Sequence, residues 1–295
     1  MEHKIWTIGS ILSWTEQYFK RQQVESPRLD AEVLLAHVLG KERIYLYVHF
    51  DEPLEERELA LYREFIKKRA KKMPVAYITG KKEFMGLEFA VSRDVLVPRP
   101  DTEILVQAVL DRLPAEKQEI ADIGTGSGAI LLSLLHYRPQ WQGTAVDISA
   151  KALATAKNNG VNLGLQERAE FLEGDMLAPL QARKFAAIIS NPPYIPLADY
   201  EKLMPDVKEY EPRHALTDEG DGLKFYRELV NNSPAHLQSG GFLAVEAGIH
   251  EARQIEELLQ ENHGYGKIEI IKDLAGIERV VIGWLNDRGG TQSAD

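Results

Sequence analysis

Along this chain of 295 residues the apolar positions change period twice. From residue 7 to about 72 they recur at helical spacing: first Ile11, Trp14, Tyr18 and Phe19, then Leu29, Val33, Leu34, Val38 and Leu39. Ser26-Pro27 supplies a cap and a first-turn proline, and Gly40 a stop. A third helix is predicted over 54–69. The basic run that closes it (Lys67, Lys68, Arg69, Lys71, Lys72) reads as a solvated C-terminal turn. Two short apolar runs, 84–91 and 95–97, read as a hairpin turning at Ser92-Arg93-Asp94. Beyond residue 98, short apolar runs alternate with amphipathic ones. Strands are predicted over 119–123, 143–147, 169–173, 185–190, 241–247, 268–272 and 279–284, with helices over 129–137, 149–159, 223–230 and 250–262. Such alternation predicts an α/β, Rossmann-like, doubly wound and mostly parallel seven-stranded sheet. A turn at Gly276 makes the last strand antiparallel. The expected organisation is a small all-helical domain over 1–73, a β-hairpin linker over 74–97, an α/β domain over 98–286, and a polar tail over 287–295 that reads as disordered.

Composition narrows the function classes. A formal net charge of −10 argues against a broad phosphate-contacting surface, so direct nucleic-acid binding is not expected. With no cysteine, disulfides, thiolate nucleophiles and thiolate-held metals are excluded, which fits a reducing compartment. The eight histidines are scattered without paired ligand spacing, so no metal site is expected. No segment reaches the roughly 20 apolar residues of a membrane span, and the N-terminus lacks a signal-peptide pattern. A cytoplasmic monomer without membrane contact is the expectation.

The first stretch that carries chemistry is Asp122-Ile123-Gly124-Thr125-Gly126-Ser127-Gly128, where a strand gives way to a helix. Glycines there permit a tight turn and the close approach of a ligand to the backbone. Asp147 closes the next strand at the spacing expected of a carboxylate that binds ribose hydroxyls. Nucleoside binding follows. Gly124-x-Gly126-x-x-Ala129 also fits a dinucleotide fingerprint. Three features favour S-adenosylmethionine: Asp122 ahead of the loop, the loop's late position in the chain, and no residue set suited to hydride chemistry. Asp175 and Met176, after the third strand, would flank the adenine.

The second stretch is Asn191-Pro192-Pro193-Tyr194. It follows the apolar run Phe185–Ser190, and two prolines in succession end a strand because neither can donate to the ladder. Alone this could be only a strand exit. Placed at the carboxyl end of a parallel strand, where open α/β sheets bind ligands, it offers an amide, free carbonyls and a ring. That set suits a flat –NH2 group. Upstream, the loop Pro98-Arg99-Pro100-Asp101-Thr102-Glu103 opens a helix, and its acids read as N-terminal caps. Glu246, at a strand end, reads either as a site residue or as a hydrogen-bonded strand carboxylate, the latter being favoured.

Asp122-x-Gly-x-Gly-x-Gly128, Asp147 and Asn191-Pro-Pro-Tyr194 together resemble class I S-adenosylmethionine-dependent methyltransferases acting on planar amines. Pro98–Glu103, Glu211-Pro212-x-x-Ala215-Leu216, Gly222-Leu223-x-x-Tyr226 and the helical front region extend the likeness to the HemK/PrmC-type protein-(glutamine-N5) methyltransferases. The resemblance spans about 26–284. It implies methylation of the glutamine in the Gly-Gly-Gln (GGQ) loop of peptide chain release factors, leaving S-adenosylhomocysteine. It places the cofactor on Asp122, Gly124, Thr125, Gly126, Ser127, Gly128, Asp147, Asp175, Met176 and Asn191. It places the substrate on Arg99, Asn191, Pro192, Pro193 and Tyr194, with Asn191, Pro192 and Tyr194 catalytic. Where this chain has Met176 the family often has tryptophan, which leaves adenine stacking open. Asn-Pro-Pro-Tyr alone is shared with enzymes that methylate exocyclic base amines of DNA or RNA, which remain the alternative. A non-catalytic nucleoside-binding module is a third reading, but it has no use for Asn191.

Overall fold

The computed structural model describes residues 5–286, so the expected tail 287–295 lies outside the described residues. The chain forms two compact units. One runs through Lys81 and takes in Met204–Tyr210; the other comprises Lys82–Leu203 and the chain from Glu211 onward.

The first unit is helical: α1 (Ile8–Arg21), α2 (Pro27–Leu39), α3 (Arg43–Val48), α4 (Glu56–Ala70) and α5 (Val75–Thr79), with a later single turn at Pro205–Lys208. Local chemistry sets the ends. Thr7 caps α1 through a reciprocal pair with Ser10, Pro27 opens α2, and Gly40 closes it at φ +62°. Phe19, Leu34, Leu35 and Tyr62 fill its core. The basic run at the end of α4 is not uniformly solvated. Arg69 is buried, and its Nε donates to Asp30 Oδ2 at 2.6 Å. Periodicity reports which face is apolar but not that a cation on it has a buried carboxylate opposite.

The second unit opens with the hairpin β1 (Lys81–Phe84) and β2 (Leu87–Ala90), though its first strand begins one residue inside the helical unit's boundary. The turn is Met85-Gly86, both at positive φ, rather than Ser92–Asp94, and residues 95–97 form no strand. A two-residue loop of this kind normally shows Asn-Gly or Asp-Gly; Met-Gly carries no such signal.

The sheet then assembles from β3 (Glu119–Ile123), β4 (Gln142–Asp147), β5 (Ala169–Glu173), β6 (Phe185–Ser190), β7 (Leu237–Glu246), β8 (Tyr265–Lys272) and β9 (Glu278–Leu285), in the order β5-β4-β3-β6-β7-β9-β8. The first five are parallel, and β9 runs antiparallel to both neighbours, as the alternation and the Gly276 turn predict. One apolar cluster, with α6 (Thr102–Arg112) and α7 (Ala129–Tyr137), covers one face. A second, with Tyr226 and Leu229 of the helix Lys224–Asn232 and Ile255 and Leu259 of the helix Ala252–Glu261, covers the other. The chain leaves β3 towards β4 and β5, then returns to β6 on the opposite side. The switch point therefore lies above the ends of β3 and β6, where open sheets leave a crevice. Among the described residues no helix is long and apolar enough to cross a membrane.

Candidate active site

Sheet register brings the site together. Ile123 pairs with Ser190, Ile123 with Val146, and Ser190 with Val245. The residues that follow these pairs are Gly124, Asn191, Asp147 and Glu246. They emerge side by side at the carboxyl ends of four adjacent strands.

The glycine loop is tied to this level. The amides of Gly124 and Thr125 both donate to the Val146 carbonyl, at 2.9 and 3.0 Å. Gly124 has φ +72°, and a Cβ there would meet nothing within 4 Å, so glycine is required by backbone conformation and the space above is open. Gly128 has φ +79°, and a Cβ there would sit 2.9 Å from Leu132, so that position is closed by packing as well. Asp147 Oδ2 accepts the Gly126 amide at 2.8 Å, and its Oδ1 accepts Ser149 N–H at 2.9 Å. Two oxygens carry about four lone-pair directions, so acceptor capacity remains for hydroxyl donors.

Asp122 is fully buried beneath the loop. Its Oδ2 accepts the Thr125 hydroxyl at 2.6 Å, while Oδ1 has no partner among the described residues. Burial, against the opposing Thr125 bond, pushes this carboxyl up to about 7. Asp122, Thr125, Ser127 and Gly128 thus form the underside of the loop. Gly124, Gly126, Asp147, Asp175, Met176 and Asn191 line the cleft above it, together with Pro193. Met176 adopts φ +46°, a left-handed conformation uncommon for a side chain of this kind.

Asn191 turns into this cleft. Its Nδ2 donates to Thr102 Oγ1 at 3.2 Å. Pro192 is buried, and Tyr194 packs against the apolar cluster that holds Tyr226 and Leu229, with its hydroxyl 3.5 Å from Glu246 Oε1, the far limit of a hydrogen bond. Burial, and then the Glu246 charge, raise the Tyr194 phenol. Glu246 is itself raised to about 7, chiefly by burial, against the hydroxyl dipoles of Thr102 and Tyr194. Arg99 does not stand free: its guanidinium donates to Glu211 Oε1 at 2.6 Å, joining the Pro98–Glu103 loop to the Glu211–Leu216 stretch. The two acids of that loop do not act as side-chain caps. Asp101 pairs with Arg279 at 2.9 Å, and Glu103 accepts the Met85 amide at 2.7 Å.

Several residues of the site have no signal in the sequence. Val95 and Leu96 line the cleft from a segment that reads as a strand, and His214 and Phe225, at unspecified positions of the Glu211–Leu216 and Gly222–Tyr226 stretches, reach it from about 120–130 residues further along the chain, roughly the span of a whole domain. Ile148, beside Asp147, is 62% exposed on the cleft wall, which only the fold reveals. Thr102 and Glu246 contact the Asn191–Tyr194 stretch from behind. No group of three or more metal-capable side chains clusters among the described residues.

Residues 10–80 match the family model of the PrmC N-terminal domain, and residues 100–204 that of the methyltransferase small domain. The chain is 44% identical over 280 residues to a release factor glutamine methyltransferase of Geobacter sulfurreducens, covering 95% of this chain and 97% of the relative. It is 42% identical over 282 residues to the one of Rhodopirellula baltica, covering 94% and 95%. A crystal structure of a methyltransferase from Pyrococcus furiosus aligns over 68% of this chain and 89% of its own, with a TM-score of 0.51 at 19% identity, a likeness of fold. Identity of this order, sustained over nearly the whole length of both relatives, means that the chain belongs to the release factor glutamine methyltransferase family.

Proposed function

We propose that the protein transfers a methyl group from S-adenosylmethionine to the side-chain amide nitrogen of the glutamine in the GGQ loop of peptide chain release factors. One observation carries this reading: strand register sets the glycine turn, the Asp147 carboxylate and the Asn191 carboxamide at one level around one cleft.

The residues fit the donor. Gly124 and Gly126 leave open backbone above the sheet, Asp147 retains acceptor directions for two ribose hydroxyls, and Ile148 and Met176 give apolar surface for a flat ring. Asp122 acts through Thr125, holding the loop's shape from beneath. Bound here, S-adenosylmethionine supplies a methyl group on a positively charged sulfur, with a neutral thioether as the leaving group.

The chain's own task is to aim a poor nucleophile. An amide nitrogen has a delocalised lone pair, and its direction must be fixed. Asn191 Oδ1 and the Pro192 carbonyl accept its two N–H groups, and the Tyr194 ring lies against the amide plane. Pro192 and Pro193 stiffen the backbone that carries both acceptors. Positioning of this kind lowers a barrier by several kcal/mol, up to about 7–11 in ideal cases. The surplus proton on the methylated nitrogen leaves to water. Arg99, held by Glu211 with about a third of its side chain exposed, is a further contact for the release factor.

A labelled-methyl assay with release factor, DNA and ribosomal RNA side by side tests the proposal. Label is expected on the release factor alone, and none when its GGQ glutamine is replaced. Label on either nucleic acid, or on a release factor lacking that glutamine, overturns it.

A further inference from the structure

Two buried side chains that have no role in the reading above reach the site from behind. Thr102 is the first residue of α6 and 5% exposed; Glu246 is the last residue of β7 and 2% exposed. The Thr102 hydroxyl accepts Asn191 Nδ2–H at 3.2 Å, and its dipole opposes the burial that raises the Glu246 carboxyl, though no aligned hydrogen bond joins the two. Glu246 Oε1 faces the Tyr194 hydroxyl at 3.5 Å, and its Oε2 has no aligned partner among the described residues. Thr102 is therefore not spent on capping its helix. It joins β6, α6 and β7.

The donor count settles the direction of this chain. A threonine hydroxyl has one proton and two lone pairs, and an ionised carboxylate only accepts. Above pH 7, with Glu246 ionised, that carboxylate is the acceptor for the Thr102 proton, which leaves a Thr102 lone pair for Asn191 Nδ2–H. If the Asn191 amide turned over, its Oδ1 would face an oxygen with no proton to share. Its Nδ2 would then meet the substrate's –NH2, donor against donor. We propose that Thr102, backed by Glu246, is a positioning residue that locks the Asn191 carboxamide with Oδ1 towards the cleft; this rests on the reading that Asn191 Oδ1 receives the substrate amide.

The test is a mutant cycle on the full chain at pH 8.5, scored as methyl transfer to purified release factor. Calorimetric affinity for S-adenosylmethionine and thermal midpoint are measured alongside. Thr102→Val keeps the shape and removes the hydroxyl; kcat is expected to fall about 10–100-fold, as for a misaimed reactant. Donor affinity stays unchanged, and Thr102→Ser recovers to within about threefold of wild type because the hydroxyl returns. In an Asn191→Ala background, Thr102→Val has no further effect. Wild-type kcat in Thr102→Val, an equal loss in both backgrounds, or failure of serine to rescue overturns the relay while leaving the Asn191 reading intact. Wild-type turnover in Asn191→Ala overturns that reading, and the relay with it. Should Thr102→Val not fold, Glu246→Gln probes the far end: kcat is expected to fall at least about fivefold at constant donor affinity. Wild-type kcat in that variant overturns the proposal.

Discussion

Ser190 Oγ donates to the Ile123 carbonyl at 2.7 Å, across a strand pair in which the same two residues are register partners. The bond ties together the last residues of β3 and β6. Beyond it the two strands diverge, one into the glycine turn and the other into Asn191. The distance between the glycine turn and Asn191 is thus held by the sheet itself.

Asn191→Ala is expected to lower turnover by at least about 100-fold with S-adenosylmethionine affinity unchanged, since an aimed acceptor is lost while the glycine loop is untouched. Single-turnover methylation and calorimetry on the same preparation check it. Unchanged turnover removes Asn191 from the mechanism.

Asp147→Ala is expected to weaken donor binding about 10–100-fold, because hydrogen bonds to a charged group contribute roughly 1.5–3 kcal/mol. It also frees the Gly126 and Ser149 amides that Asp147 now receives. Equal affinity by calorimetry shows that Asp147 is not the ribose ligand.

Asp122 gives stability a pH dependence. Its folded pKa of about 7 lies above the ordinary 3.8. The folded state therefore holds a proton that the unfolded chain has released, and this contribution is full below about pH 4 and lost as pH rises through 7. Unfolding free energy should fall as pH rises from 5 towards 7 and level off above it. Asp122→Asn, which still accepts from Thr125, should flatten the fall and gain on wild type as pH rises. Urea titrations at pH 5 and 8.5 measure this, and parallel curves for the two proteins rule it out.

In the helical unit, Asp30→Ala removes the carboxylate hydrogen-bonded to buried Arg69 and leaves only Asp206, 3.8 Å from its guanidinium. Removing one partner of a buried pair costs about 3–5 kcal/mol. The loss should show as a lower denaturation midpoint for that unit. A shift of less than about 1 kcal/mol, as found for exposed pairs, would mean that the pair is solvated.

Much of this molecule is legible locally. The strands 119–123, 169–173 and 185–190 end where runs of apolar residues meet Gly124, Gly174 and Asn191-Pro192, and the structure ends them at the same places. Local pattern puts the hairpin turn in the wrong place because Met85-Gly86 lacks a turn signal and Val95-Leu96-Val97 mimics a strand while Val95 and Leu96 serve as cleft wall. The acids of the Pro98–Glu103 loop escape local pattern for a related reason. A carboxylate at a helix start suits capping, and only the fold brings Arg279 to Asp101 and the Met85 amide to Glu103.

Alone, the order of residues determined a helical unit, an alternating α/β unit, a glycine turn with an acid on the following strand, and a proline-stopped strand bearing an amide. Each is a matter of period, propensity or a missing N–H, and acts within a few residues. Tertiary structure decided that Gly124, Asp147, Asn191 and Glu246 stand at one level, and that Thr102 meets an amide 89 positions away. Register between strands is chosen by burial on both faces of a shared sheet. That choice depends on partners far apart in the chain, and no local pattern encodes it.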